Sequence, residues 1–309
     1  MASLSIILTG CNGRLGRAVG DLLCSRGHRV IGVDAAASPG RPHPVVIEDL
    51  RNPSAIHRAF DRLGAVPDAV VHLANHTNAQ AAPPEVVLRE NLAMNTSVFM
   101  AAAQAGVGRA VFSSSIQAFV SNYEVDGSMS TRRPHRLPLS EALEPRPSNA
   151  YGLSKVMSER MLDGLCDGAS LKFHGREGAA LSAASVRLPY ILTQQQFEGA
   201  AKNTAMIDYR WGGPEAFAYI HVDDAASAIL AACAAPFHGH EVFWVSAPDP
   251  RMAQSVEAIV AQHYEGVPGA ADAVKLGRLS DCSKAERMLG WKAEHRVTAE
   301  RERAGLRPA

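Results

Sequence analysis

Within the first 24 residues a short β-branched run, Leu4–Leu8, passes through three glycines, Gly10, Gly13 and Gly16, straight into an amphipathic stretch from Leu15 to Cys24. A strand that turns on glycine and continues as a helix without a linker folds back beside itself, and such a βα unit begins a parallel sheet. The alternation recurs. Arg29–Val33 reads as a strand ending at Asp34, Pro44–Ile47 as one ending near Glu48-Asp49, Ala69–Leu73 as one ending at Ala74-Asn75, and Arg109–Phe112 as another. Asn91–Ala105 and Tyr151–Leu165 read as helices. The expected fold is therefore α/β, a doubly wound parallel sheet of the Rossmann type with a small C-terminal substrate-binding region.

Residues 1–187 are expected to form the dinucleotide-binding domain, completed by 219–246, with 188–218 and 247–309 as substrate-binding region and lid. Ser121–Ser148, which holds Pro134, Pro138, Pro145 and Pro147, reads as a long surface loop. After Arg187 the pattern loosens through Gln194–Pro214 and returns to strand and helix at Tyr219–Cys233, with a further strand at Glu241–Val245. Leu171–Gly178 (LKFHGREG) reads as an insertion between helix and strand, and Arg301–Ala309 as a polar, frayed end.

Composition narrows the partners. At 309 residues and 47% hydrophobic the chain can bury one large core or two modest ones, and 31 basic against 31 acidic residues leave no field for nucleic acid or anionic lipid. Five scattered cysteines, with no Cys-x-x-Cys pair, fit reduced thiols of a cytoplasmic protein better than disulfides or zinc. No basic leader precedes the first apolar run, and Ala225–Ala235 is too short to span a bilayer, so no membrane partner is expected.

The turn Gly10-Cys-Asn12-Gly13-Arg14-Leu15-Gly16 offers backbone amides at a helix N-terminus, where a pyrophosphate binds well; a plain turn is the bland alternative. Asp34 follows at the end of the second strand, 18 residues past Gly16, where a carboxylate takes ribose hydroxyls or merely caps a helix. That carboxylate would repel a 2′-phosphate, so NAD is preferred over NADP, although Arg14 or Arg41 would suit a phosphate. Asp49-Leu50 stands either at the adenine rim or at the cap of the next helix.

Tyr151 and Lys155, four apart, share a helix face. A free tyrosine, with a pKa of about 10, is a poor base at neutral pH, and a neighbouring cation favours its phenolate. Ser113-Ser114-Ser115 ends a strand at the edge where doubly wound sheets bind ligands. His72 and His221 lie in apolar strands and read as satisfied core histidines, so no metal is expected; Trp291 reads as core packing.

Taken in order, Thr9–Gly16, Asp34, His72-Leu-Ala-Asn75, Asn91, Ser113–Ser115, Tyr151-Gly-Leu-Ser-Lys155, Arg187-Leu-Pro189, Tyr219–Asp224 and Ser283–Trp291 resemble the extended short-chain dehydrogenase/reductase family across nearly the whole chain. The resemblance implies a nicotinamide cofactor, Tyr151 as general acid/base, Lys155 holding the nicotinamide ribose and lowering the Tyr151 pKa, and Ser115 polarising the substrate oxygen. It further assigns Leu73, Ala74, Asn75, Asn91, Ser113 and Pro189 to the cofactor, and Thr77, Gln117, Tyr190 and Arg210, with Ser115, to the substrate. A homodimer built from helices is implied as well.

Departures from the family guide the choice of reaction. Ile116 and Gln117 stand where the family's dehydratases carry an acidic pair, and neither side chain does acid/base work. Tyr190 and Phe217 stand where UDP-sugar epimerases carry the Asn and Arg that grip a diphosphate. Asp208-Tyr-Arg210 resembles the region of the family's uronate dehydrogenases in which an arginine holds the sugar carboxylate. The expected function is NAD-dependent oxidation of a secondary alcohol on a sugar or related polar small molecule. A redox-neutral epimerase is the alternative, and a nicotinamide-sensing regulator that kept only the fold is the reading from another class.

Overall fold

The computed structural model describes residues 3–306 apart from 125, 127, 168–180 and 206, so the Leu171–Gly178 insertion lies outside the described residues. The strands are β1 (Ser5–Thr9), β2 (Arg29–Asp34), β3 (Val45–Ile47), β4 (Ala69–His72), β5 (Arg109–Ser115), β6 (Ser182–Leu188), β7 (Tyr190–Leu192), β8 (Tyr219–His221) and β9 (His240–Trp244). Seven form one parallel sheet in the order β3-β2-β1-β4-β5-β6-β9, and β7 and β8 pair separately. The order reverses between β1 and β4, and the crevice above their C-terminal ends is where such sheets bind ligands.

The central strands are apolar on both faces: Ile6, Ile7 and Leu8 of β1 and Val70 and Val71 of β4 have no exposed surface. A strand buried on both sides needs helices above and below it. These are α1 (Arg14–Ser25), α2 (Ala55–Leu63), α3 (Pro84–Ala105), α4 (Ala150–Cys166) and α6 (Val222–Ala234), while α5 (Gln194–Lys202) packs away from the sheet on the C-terminal helix Val297–Arg303. One core lies between the sheet and the layer of α1 and α6, and a second lies on the opposite face with α2, α3 and α4.

Two close approaches fix the geometry of the site. A Cβ on Gly16 would run into the Gly10 carbonyl oxygen, so the turn closes only with glycine there. A Cβ on Gly152 would meet the Gln117 carbonyl, so glycine lets the first turn of α4, carrying Tyr151, seat against the end of β5.

Several expectations need correction. α3 begins at Pro84, not Asn91, because proline suits a first helical turn although it interrupts the apolar periodicity. Gln194–Lys202 is a helix with a Thr193–Gln196 capping box, a local signal that outweighs its loose apolar pattern. The described residues of Ser121–Ser148 form no regular element beyond isolated bridges, yet the segment is not simply surface. Leu137, Leu139 and Leu143 are buried in the main core, and Leu137 and Leu139 donate backbone hydrogen bonds to Pro268 and Leu279. At the C-terminal end Arg301 is anchored, while the described residues after it, 302–306, are exposed. Arg301 is 3% exposed and donates to the carbonyls of Ala200, Ala201, Asn203, Arg251 and Met252.

Candidate active site

A cavity of about 920 Å³ opens above the crossover point of the sheet. Gly10, Gly13, Arg14, Leu15, Gly16, Leu73, Asn75, Ser113, Lys155 and Pro189 line one end of it. Gly13 caps α1 with no side-chain hydrogen bond, so the helix presents backbone amides there. At the end of β2 the Asp34 carboxylate accepts from Asn12 N at 2.9 Å and Ala36 N at 3.1 Å, which fastens the turn to the second strand. A glycine cradle, open amides and a terminal carboxylate fit a dinucleotide.

Of the other expected cofactor residues, Asp49, Leu50, Ala74 and Asn91 do not line the cavity, whereas Arg14 does. Asp49 is tied to Arg51, which also pairs with Glu90, while Leu50 is 3% exposed and packs in the second core. Asn91 is buried, accepting from His76 N and donating to Ser154 Oγ, so it braces the loop beneath the cavity. Ala74 packs against the second core, and its amide donates to Thr9 Oγ1. Arg14 donates to the Ile191 carbonyl at 2.9 Å and Arg41 lies beside Asp21.

Ser115, Tyr151 and Lys155 meet on the cavity floor. Ser115 Oγ accepts from Gln117 N at 3.2 Å, which leaves its own hydrogen to go to Tyr151 or to an oxygen in the cavity. Lys155 Nζ donates to Asn75 Oδ1 and to the Ser113 carbonyl, both at 2.7 Å, and stands 5.3 Å from the centre of the Tyr151 ring. A third donor on the ammonium is left over. Asn75 in turn donates to Asn95, whose Oδ1 also meets His72 Nε2, and His72 Nδ1 bonds Thr9 Oγ1 at 2.7 Å. This neutral polar chain runs under the floor from β1 to α4, where Asn95 donates to Ser158. Burial pushes the His72 pKa down to about 3, so the ring stays uncharged, and it is the satisfied core histidine expected.

Burial pushes the Tyr151 phenol up to about 12, against the pull of its hydrogen bond with Ser115 and with the charge of Glu215 adding to the rise. Burial also pushes Lys155 down to about 7. Lowering of the Tyr151 pKa by Lys155 is therefore not what the side chains produce by themselves. The ammonium is desolvated along with the phenol and directs two of its hydrogens to Asn75 and Ser113.

Beneath the serines, Glu159 on α4 accepts from Ser114 Oγ at 2.7 Å and from Arg187 on β6 at 3.0 and 2.7 Å. Both partners of this ion pair are buried.

Thr77, Gln117, Tyr190 and Arg210, the expected substrate residues, line the other end of the cavity. Arg210, however, spends its guanidinium on Asp208 at 2.8 Å and is 60% exposed. Two residues without a motif stand there as well. Glu215 is 5% exposed, accepts from Asn122 N at 3.2 Å, and is pushed up to about 7 by burial. Arg251 places its guanidinium 5.0 Å from the centre of the Tyr190 ring. Lys202 and Arg210 are the only cations between Leu188 and Ile220, and Arg251, beyond that stretch in sequence, is brought to the cavity only by the fold.

His221, Asp223 and His295 gather three groups of the kind that bind metals. Both ring nitrogens of His221 are taken, by Asp223 N and Gln194 Oε1, and Trp291 Nε1 anchors on Asp224 and Ser227, so both residues pack as expected.

A glycine cradle at the crossover of a doubly wound sheet, with serine, tyrosine and lysine on its floor, defines the class to which the chain's resemblance pointed. The model of the NAD dependent epimerase/dehydratase family matches residues 6–245, and the chain belongs to that family, within the extended short-chain dehydrogenases/reductases. Over 163 residues it is 31% identical to an NAD-dependent glucose-6-phosphate dehydrogenase of Haloferax volcanii, covering 50% of this chain and 60% of that one. Over 188 residues it is 31% identical to an L-arabinose 1-dehydrogenase (NAD(P)(+)) of the same organism, covering 59% of this chain and 69% of that one. The match thus spans less than two thirds of the first of these two relatives. In fold it is similar to a uronate dehydrogenase from Agrobacterium tumefaciens, with a TM-score of 0.63, 22% identity, and coverage of 99% and 90% of the two chains.

Proposed function

We propose that the chain is an NAD-dependent oxidoreductase acting on a secondary alcohol carbon of a sugar or related polar small molecule. The observation that carries this reading is the convergence of Ser115, Tyr151 and Lys155 on the floor of a cavity whose other end is the glycine cradle. Bound NAD supplies the hydride acceptor and a positive charge that favours phenolate. Gly10, Gly13 and Gly16 hold the pyrophosphate against the amides of α1, Asp34 takes the adenosine ribose, and the third donor of Lys155 takes the nicotinamide ribose. Ser115 Oγ donates to the substrate oxygen and fixes its position, and Tyr151 Oη receives the hydroxyl proton. Asn75 and Ser113 hold Lys155 in place throughout. Residues 1–187 with 219–246 serve the cofactor, and 188–218 with 247–309 serve the substrate.

The relatives support this reading, being by name an NAD-dependent dehydrogenase of glucose 6-phosphate and an NAD(P)(+) dehydrogenase of L-arabinose. We also propose a homodimer through α4, where Leu153 and Met157, four apart, are left 39% and 44% exposed. The five thiols are all free, in keeping with a cytoplasmic protein, and no helix of the described residues is long and apolar enough to cross a membrane.

The test is NADH formation by the purified protein with a panel of sugars, alongside Tyr151→Phe. Turnover in the wild type that vanishes in a variant still binding NAD supports the assignment, and near-wild-type activity of the variant sinks it.

A further inference from the structure

We propose that Glu215 and Arg251 form the substrate-selecting wall of the cavity, and that the wall takes a sugar with a terminal anionic group, a carboxylate or a phosphate monoester, on Arg251, and a neighbouring hydroxyl on Glu215. The inference rests on the proposed function only in taking this cavity for the substrate site.

Four cationic side chains among the described residues line the cavity: Arg14, Lys155, Arg210 and Arg251. Arg14 stands at the glycine turn and bonds Ile191, Lys155 is held on the floor, and Arg210 is paired with Asp208. Arg251 has no such carboxylate partner: its Nη2 donates to the Trp211 carbonyl, and its Nε is buried with no acceptor. Nε is enclosed and out of reach of a ligand, but Nη1 is not enclosed and meets no acceptor among the described residues, so an anion in the cavity can complete the guanidinium there. The planar fork stacked on Tyr190 suits the paired oxygens of a carboxylate or phosphate.

The wall is built to stay in place. Arg251 N donates to the Phe217 carbonyl at 2.9 Å, which ties it to the segment bearing Glu215. Arg301 donates to the carbonyls of Arg251 and Met252, at 3.3 and 2.7 Å, and fastens the same strip to the end of α5. Directly after Glu215, Ala216 and Phe217 both have φ of 52°, a left-handed pair that side chains rarely adopt, held by hydrogen bonds that their amides donate to the carbonyls of Gly213 and Gly212. Near neutrality burial keeps much of Glu215 protonated, so the charge of Arg251 is incompletely balanced and an incoming anion meets little repulsion. A protonated carboxyl also donates to a sugar oxygen.

The experiment uses the full chain with NAD, the wild type and Arg251→Met, Arg251→Lys and Glu215→Gln. Binding of a hexuronate, a hexose 6-phosphate, the neutral hexose and a UDP-hexose is measured by titration calorimetry, and NADH formation is followed separately. The wild type is expected to bind one of the two monosaccharide anions at least about 30-fold more tightly than the neutral hexose, which one identifying carboxylate or phosphate. Arg251→Met should collapse that preference at least about tenfold, and Arg251→Lys should restore part of it, with KM moving more than kcat. A neutral hexose or UDP-hexose bound as tightly as either anion overturns the proposal, as does an unchanged preference in Arg251→Met. If that variant does not fold, the wild-type preference and Arg251→Lys decide. Anion-selective binding without NADH formation overturns the oxidoreductase reading and leaves this one standing, whereas NADH formation without anion preference does the reverse.

Discussion

The two ends of the cavity are built in different ways. At the glycine end the groups come from short contiguous pieces, the turn Gly10–Gly16, the strand end at Ser113–Ser115 and one face of α4, and beneath them lie a neutral hydrogen-bonded chain from Thr9 through His72 and Asn95 to Ser158 and the closed ion pair of Glu159 and Arg187. At the opposite end the groups are charged, and they arrive from segments far apart: Glu215 closes a short 3₁₀ turn and Arg251 lies beyond β9, held from behind by Arg301 of the C-terminal helix. Polar groups that are neutral or already paired hold a geometry with little competition for the charge of a ligand. A wall of unbalanced charge does the opposite, and its energetics depend on what binds and on pH.

That contrast is sharpest at the chemical step. Tyr151→Phe keeps the ring that packs in the floor and removes the only group there that takes the proton, so kcat should fall by about 10³-fold or more while NAD affinity stays within about threefold. Steady-state rates and a cofactor titration check both halves. A large loss of NAD affinity would mean that floor and cradle are one unit.

The support of the floor comes next. Glu159→Gln leaves Arg187 buried without its carboxylate and should destabilise the fold by about 3 kcal/mol, read as a lower denaturant midpoint at unchanged slope. An effect under about 1 kcal/mol would show that Ser114 and the neighbouring carbonyls suffice.

Glu215 tests the other end through pH. Its carboxyl holds its proton up to about 7 in the folded chain and, in the unfolded chain, only to the usual value of 4.5. Stability from this group is intact below pH 4.5, declines between 4.5 and 7, and is lost above 7, by up to about 3 kcal/mol. Glu215→Gln should therefore be more stable than the wild type above pH 7 and no more stable below pH 4.5, which thermal melts across that range will show. A difference independent of pH would place the titration elsewhere. Smallest is Arg210→Ala, expected to change kcat/KM for every accepted sugar by less than about threefold, because its guanidinium is exposed and already paired. A larger loss in KM would return Arg210 to the substrate and blur the distinction between the two ends.

The same division explains what was legible beforehand. The βα alternation, the turn at Gly10–Gly16, Asp34 at the end of β2 and the Tyr151/Lys155 spacing are local patterns, in which each residue's role follows from neighbours within a turn or two of chain. They led to the doubly wound sheet and to the floor of the site without reference to distant contacts. The proline-rich Ser121–Ser148 segment reads as surface from its sequence because Leu137 and Leu139 join a core, and donate to the carbonyls of Pro268 and Leu279, more than a hundred residues away. Arg301 looked like part of a frayed end for a similar reason, since its five carbonyl partners lie near residues 200 and 251.

Strand and helix periodicity, glycine at close approaches, and an i, i+4 pair on one helix are properties of the chain as a string, because they depend on backbone geometry over a few residues. The raised phenol of Tyr151, the lowered ammonium of Lys155 and the meeting of Glu215 with Arg251 belong to the packed molecule. Each follows from removing a charge from water and choosing its neighbours, and that choice is made by elements distant in sequence that only the tertiary fold brings together.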